Sequence, residues 1–499
     1  MPYPDVIDLF LAISAREPGR IAVSAGSNRV TYGVFERRAR CFARLFSAKE
    51  APRVLIALPR GVDAYAACVG AGLAGGYYAP VSELSPPGKL LNIAVQLQPD
   101  FIVASPALGR RLQTAAPDAV YVDPEQAHAV SPFVGRGTRN ALAYIIFTSG
   151  STGVPKGVVI SRKGFNHYIG WVIASRTIVP EDRVAQFSNL AFDMSILDIY
   201  GALSQGATLI PVVAKSDRLM PGRIIKREKV TAWSSVPSVI GLMMRANHLT
   251  AEVLRSLRLL TFAGEPLLRE HVEAIFKARA DLPVQNAYGP TEATTTLTSV
   301  FLNPENLGGL TDRSVSIGPV NPGMWIDLVG GPHPDEGQIV IGGPQVAEGY
   351  WQDEERTRNA FRSYVAEGVE KFGYFSGDWA VRRDGLIYFR ERIDFQIKLR
   401  GYRIELDEVA SAIRAGGWPL VCVFKHDESL VALIEAADPQ SAEPMAVRAW
   451  LADRLESYAV PDRIEVVAHL PRNENDKIDR AASAALYAAM RSAQPSPTS

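Results

Sequence analysis

Short apolar runs alternating with helix-periodic stretches restrict this chain more than any other feature. Residues 54–58, 77–81, 101–104, 144–147, 207–213 and 259–262 are too short for buried helices and apolar enough for buried strands. Helix-spaced stretches separate them. After Thr31, a candidate N-cap, the apolar positions Phe35, Ala39, Phe42 and Phe46 fall at intervals of four, three and four, and residues 63–74 form a second helix. Alternation of this kind implies an α/β fold of mainly parallel sheets covered by helices. Around Ala25-Gly26-Ser27, residues 20–23 and 28–31 read as a small hairpin.

Towards the C-terminus the pattern changes. Residues 338–342 and 386–389 are short strands near glycines, suggesting a small β-rich region. After Arg392-Ile393-Asp394, helices at 405–414 and 446–455 and strands at 420–424 and 430–434 describe an α+β module. Two domains are expected, 1–393 and 394–499, with a polar tail at 494–499 that does not order. Because Lys plus Arg and Asp plus Glu number 53 each, no overall field favours nucleic acid or an acidic membrane. No apolar run reaches the ~20 residues of a membrane span, and the first residues lack a signal peptide's basic and apolar regions. Cys41, Cys68 and Cys422 lie far apart and read as reduced packing thiols; the seven histidines show no metal-ligand spacing. A cytoplasmic protein with locally built ligand sites is the expectation.

The most chemical of these sites follows the strand at 144–147, which runs into Thr148-Ser-Gly-Ser-Thr-Gly-Val-Pro-Lys-Gly157. Glycines and small hydroxyl residues let backbone N–H groups approach phosphate oxygens, and Lys156 adds a cation. It is not a P-loop, because Pro155 and Gly157 stand where that motif has glycine and a hydroxyl residue. A generic Gly/Ser run would read as a flexible surface loop, but this ten-residue string favours the phosphate reading.

Context comes from four further segments in order: Asn286-Ala-Tyr-Gly-Pro-Thr-Glu292, Tyr374-Phe-Ser-Gly-Asp378, Arg392-Ile-Asp394 and Asn475-Asp-Lys-Ile-Asp-Arg480. With the loop, they resemble the signatures of the adenylate-forming superfamily, which includes acyl-CoA synthetases, luciferases and peptide-synthetase adenylation domains. The resemblance covers nearly the whole chain and implies activation of a carboxylate with ATP and Mg²⁺.

By that resemblance Thr148, Ser149, Gly150, Ser151, Thr152, Gly153 and Lys156 hold the β- and γ-phosphates. Thr291 meets the α-phosphate and Glu292 binds Mg²⁺. Tyr288 stacks on adenine and Asn286 meets its amino edge, with Gly264, Ala287 and Gly289 around them. Asp378 receives the ribose hydroxyls, with Arg392 nearby. Lys477 is the mobile catalytic lysine, Asp394 the hinge, and Lys398 and Gly401 belong to the segment that lines the path of the incoming thiol. The chain departs from the family at Phe375-Ser376, where Arg-Thr is usual, and at Glu391 and Asp476, where glycine is usual.

Phe192-Asp193-Met-Ser-Ile-Leu-Asp198 bears on the choice of acid. Amino-acid-activating members carry an aspartate here that pairs with the substrate ammonium; read alone, Asp193 is more readily a helix N-cap. Matched to peptide-synthetase domains, the side-chain pocket is Met194, Leu197, Ser234, Thr261, Ala263, Ala287, Thr295 and Thr296, mostly small or hydroxylated, which fits a small neutral amino acid. The segments resemble stand-alone ligases such as those for D-alanine, although Ala263 stands where a cysteine is expected, and stand-alone adenylating enzymes for proline and other amino acids are equally open. No carrier motif follows Arg480, so a separate phosphopantetheinylated carrier protein is expected as partner. The alternatives are an acyl- or aryl-CoA synthetase and a non-catalytic AMP-binding protein.

Overall fold

The structure, a computed structural model, describes residues 3–148, 154–366, 368–393, 396–436, 443–472 and 478–493. The chain divides into two compact units, one of Met1–Glu83, Ala94–Phe147 and Gly157–Ile393, the other of Leu84–Ile93, Thr148–Lys156 and Asp394–Ser499.

The first unit is built on two large sheets and a smaller one. A seven-stranded sheet has the strand order Gly349–Tyr350, Lys156–Ser161, Leu142–Thr148, Tyr77–Pro80, Arg53–Ala57, Phe101–Ala104, Val120–Val122. From Leu142–Thr148 to Val120–Val122 the strands pair in parallel, whereas Gly349–Tyr350 adds antiparallel to Lys156–Ser161 at the other edge. An eight-stranded sheet runs Thr298–Leu302, Val284–Tyr288, Leu259–Phe262, Ala232–Ser235, Arg183–Gln186, Thr208–Pro211, Ile21–Ala25, Asn28–Thr31, parallel in its centre and antiparallel at both ends. Those antiparallel ends include the hairpin expected at 20–31.

Helices cover these sheets as the periodicity requires. Tyr32–Phe46 opens with the Thr31 hydroxyl accepting the Val34 N–H, and Phe35, Ala39, Phe42 and Phe46 are all buried. It packs close to the helix Val62–Leu73, where a Cβ on Gly70 would lie 2.8 Å from the Ala39 carbonyl oxygen. Glycine is therefore required there by contact rather than by backbone angle.

The β-rich region is larger than the sequence suggested. Trp325–Gly330, Glu336–Gly342, Val369–Arg383, Phe361–Ala366 and Leu386–Arg392 form a five-stranded antiparallel sheet. Its longest strand, Val369–Arg383, carries Gly373, Gly377 and many charged residues, which hid it from a reading based on apolar alternation.

The second unit contains the hairpin Gln396–Leu399 and Tyr402–Glu405, the sheet Val421–His426, Ser429–Glu435 and Arg463–Val467, and the helices Leu406–Ala415, Pro444–Ala452 and Arg480–Ala493. Leu399, Ile404, Val409, Ile413, Val423 and Leu451 share its core. All three cysteines are buried and unbridged. No described helix is long and apolar enough to cross a membrane.

Candidate active site

One strand sorts the candidate residues. In Val284–Tyr288, side chains alternate between faces, so Gln285 and Ala287 point one way and Asn286 and Tyr288 the other. In register, Ser234 pairs with Thr261 and Thr261 with Gln285, forming a buried polar row on the first face. Ala287, expected both beside adenine and in the acid pocket, therefore shares its face with Gln285, Thr261 and Ser234, opposite Asn286 and Tyr288. Ala263 follows Leu259–Phe262 directly, and Gly264 adopts φ +90°.

On the second face, Asn286 Nδ2 donates to the Ser316 carbonyl at 2.8 Å. The Tyr288 hydroxyl donates to Asp378 Oδ2 at 2.6 Å, which fixes the ring. Burial and this carboxylate hold the Tyr288 phenol protonated, well above its usual range. Arg392 donates to Asp378 Oδ1 at 2.6 Å and to the Ser376 carbonyl at 3.1 Å. Both oxygens of Asp378 are thus oriented by protein donors.

A break in strand register aims this carboxylate. Pairing with Glu336–Gly342 shifts between Gln338 and Val340, and Gly377 has φ +77°. Ser376 fills the irregularity: its hydroxyl donates to the Ile339 carbonyl and accepts the Asp378 N–H. Phe375 packs under the Arg362 guanidinium and edge-on to Tyr364. Glu391 is an exposed strand residue opposite Trp379.

Beyond Tyr288 the chain turns sharply. A Cβ on Gly289 would meet the Thr295 carbonyl oxygen at 2.5 Å, so only glycine lets the turn fold back. Thr291–Ala293 is one turn of 3₁₀ helix that carries Glu292 fully buried. Glu292 Oε1 accepts from the Tyr350 hydroxyl at 2.9 Å. Thr294 and Thr295 then adopt φ +56° and +70°, a region β-branched residues rarely enter.

Asp193 precedes the helix Met194–Gln205 with αR angles, and its side chain makes no cap hydrogen bond. The N-cap alternative for Asp193 is therefore not how this helix starts. Instead its backbone carbonyl accepts from Thr295 Oγ1 at 3.2 Å. Burial, with the nearby Asp193 carboxylate, raises the Tyr144 phenol well above its usual range.

Met194, Leu197 and Asp198 occupy one helical face at i, i+3 and i+4. Asp198 is fully buried, and neither carboxyl oxygen has a hydrogen-bond partner among the described residues. Burial pushes this carboxyl well above its ordinary range, the Ser234 side chain and Phe187 backbone opposing. Threonine hydroxyls in the pocket set are engaged with protein: Thr261 donates to Gln285 Oε1 at 3.0 Å and Thr296 to the Tyr168 hydroxyl at 3.4 Å.

The remaining expected positions are distributed along the chain. Thr148 ends the strand Leu142–Thr148, and Lys156, buried, begins Lys156–Ser161. Ser149, Gly150, Ser151, Thr152, Gly153, Asp394, Lys477 and the tail 494–499 lie outside the described residues. Lys398 pairs with Arg403 in its hairpin, and the two turn residues, Arg400 and Gly401, both have positive φ. For a divalent cation the donor chemistry at Glu292 fits Mg²⁺, which needs one or two carboxylates plus phosphate oxygens rather than a protein cage. No group of three or more His, Cys, Asp or Glu side chains is gathered among the described residues.

Sequence reasoning missed Tyr350 and Gln345. Each reaches the Glu292–Thr296 turn from about fifty residues or more away in the chain, and neither lies in a segment with its own chemical signature.

Comparisons place this geometry among known proteins. At 31% identity, covering 94% of this chain and 97% of the relative, the chain is similar to the L-proline–[L-prolyl-carrier protein] ligase of Pseudomonas fluorescens. The D-alanine–D-alanyl carrier protein ligase of Staphylococcus epidermidis is 28% identical over 95% of this chain and 98% of its own. Among solved structures, the Vibrio cholerae adenylation domain AlmE in complex with glycyl-adenosine-5'-phosphate superposes with a TM-score of 0.81 at 25% identity, covering 97% of this chain and 98% of that one. Residues 10–351, which hold the strand, the turn and the acid-side helix, match the AMP-binding enzyme family, and the chain belongs to it.

Proposed function

We propose that this enzyme activates a small neutral amino acid with ATP as the aminoacyl-adenylate and then passes it to the phosphopantetheine thiol of a separate carrier protein. The amino-acid carboxylate oxygen attacks the α-phosphorus, and the bond to pyrophosphate breaks. In the second step the thiol sulfur attacks the acyl carbon and AMP leaves. The similar proline and D-alanine ligases support both steps.

Asp193 carries the amino-acid reading. An acyl- or aryl-CoA synthetase would leave it as a helix cap, and that hydrogen bond is not made. Its carboxylate is the counter-ion for the substrate ammonium, beside a pocket formed by Met194, Leu197, Ser234, Thr261, Ala263, Ala287, Thr295 and Thr296. A pocket of this composition holds a short uncharged side chain.

On the nucleotide face, Tyr288 and Asn286 take adenine, with Gly264 and Gly289 beside them, and Asp378, set by Arg392, takes the ribose. Thr291 contacts the α-phosphate. Glu292 holds Mg²⁺, which neutralises charge on the phosphates. Residues 148–153 and Lys156 grip the pyrophosphate side, and Lys477 bridges carboxylate and phosphate. In the 394–499 module, Asp394 is the pivot and Lys398 and Gly401 line the thiol path.

A panel of D- and L-amino acids in ATP–pyrophosphate exchange tests this reading. Exchange with one or a few short neutral amino acids is expected. No exchange with any common amino acid, or CoA-dependent turnover of a non-amino acid unaffected by Asp193→Ala, would sink it.

A further inference from the structure

Gln345 makes an unusual set of contacts for a residue outside every motif. It is wholly buried. Its Nε2 faces three carbonyl oxygens, those of Ala293 at 3.2 Å, Thr294 at 3.4 Å and Thr296 at 2.9 Å. Its own backbone carbonyl accepts from Thr294 Oγ1 at 2.6 Å. Three acceptors at Nε2 fix which end of the amide is which, so Oε1 points to His167 Nδ1 at 3.0 Å and accepts its proton. The backbone at Gln345 is also approached closely, since a Cβ on Gly164 would sit 3.3 Å from Gln345 Cα and 3.3 Å from Thr294 Oγ1.

The clamped segment is the strained one. Left-handed φ at two successive threonines costs free energy and persists only where surrounding contacts enforce it. Gln345 supplies those contacts at both ends of the Thr294–Thr295 pair. Glu292 lies two residues before Thr294, and the pocket residues Thr295 and Thr296 lie within or just after the pair.

We infer that Gln345 is a positioning residue that holds the Ala293–Thr296 turn in its left-handed form and thereby shapes the amino-acid pocket. The inference rests on the proposed role of Thr295 and Thr296 in that pocket. Adenine and ribose contacts come from other segments, so the effect falls on one substrate more than the other. Releasing the turn moves the pocket wall and leaves Asn286, Tyr288 and Asp378 in place.

Gln345→Met keeps the side chain's volume and removes the amide. In pyrophosphate exchange it is expected to raise the amino-acid KM about tenfold or more while the ATP KM changes less than about threefold. A purely structural role would lower the active fraction and leave both KM values unchanged, since KM does not depend on how much enzyme is folded. That result would overturn the inference. If Gln345→Met does not fold, Gln345→Glu, which keeps the acceptor for His167 but loses the donors, is read in the same way; failure of both to fold assigns Gln345 to folding alone. Absence of exchange in the wild-type enzyme removes the functional reading and this inference with it, whereas wild-type exchange with unchanged KM values in the variant removes only the inference.

Discussion

Tyr350 donates its phenolic proton to Glu292 Oε1 across 58 residues of sequence, at 2.9 Å and away from solvent. The same tyrosine pairs in antiparallel register with Val158, on the strand that emerges from the Thr148–Gly157 segment. Glu292 is therefore oriented by a residue whose backbone is stitched to that strand. A hydrogen bond to a buried charged group contributes about 1.5–3 kcal/mol. Tyr350→Phe is expected to raise the Mg²⁺ concentration for half-maximal exchange several-fold, with little change in amino-acid KM. An unchanged Mg²⁺ dependence would count against Glu292 as the metal carboxylate.

The Arg392–Asp378 pair is almost fully enclosed, with side-chain exposures of 8% and 1%. Removing one partner of such a pair leaves a buried charge and costs about 3–5 kcal/mol. Arg392→Met is expected to destabilise the protein by about that amount in urea unfolding. Asp378→Asn should instead raise the ATP KM by about tenfold or more, because the amide has one acceptor oxygen in place of two and carries no charge. Equal ATP affinity in Asp378→Asn and wild type would refute the ribose assignment.

Asp193 offers a clean separation of folding from binding. Because its side chain does not cap the helix, Asp193→Asn should lose none of the stability that a helix cap supplies. Its effect on substrate should be large, about a hundredfold in amino-acid kcat/KM, reflecting loss of a charge partner for the ammonium group. A large drop in stability with unchanged kcat/KM would return Asp193 to a structural role.

Asp198 makes stability depend on pH in a defined direction. Its folded-state pKa is raised above the unfolded value of 3.8 by burial. The native state therefore keeps the proton after the unfolded chain has lost it, so this group's contribution is fully present below that value and declines as pH rises through the shifted value. The decline is at most about 1.4 kcal/mol per pH unit. Asp198→Asn, which mimics the protonated form, should gain stability relative to wild type between about pH 5 and pH 8. A constant difference across that range would show that Asp198 is ionised in the folded protein.

Much of the fold was legible because its signals are local. Phe35, Ala39, Phe42 and Phe46 announced a helix by spacing, and the aliphatic runs announced strands that burial then required. Contiguous motifs such as Asn286 to Glu292 were also readable, since the chemistry of one turn is written in adjacent residues. Less legible was whatever depends on distant partners. Nothing in Thr294-Thr295 signals left-handed backbone, which β-branched side chains oppose; the cause is Gln345, some fifty residues on. Asp193 could not be distinguished from a cap until the helix showed its first turn. The strand Val369–Arg383 stayed hidden because Gly377, which turns Asp378 inward, also interrupts the pattern that identifies strands.

The alternating faces of Val284–Tyr288 constrain how such an enzyme can diverge. Substitution at Ala287 alters the acid side and leaves Asn286 and Tyr288 where they are. Insertion or deletion of one residue would exchange the two sets, presenting tyrosine to the acid and alanine to the nucleotide. New substrate preferences along this strand must therefore arise by exchanging side chains at fixed length, and descendants with different acids should keep the same residue count from Val284 to Gly289.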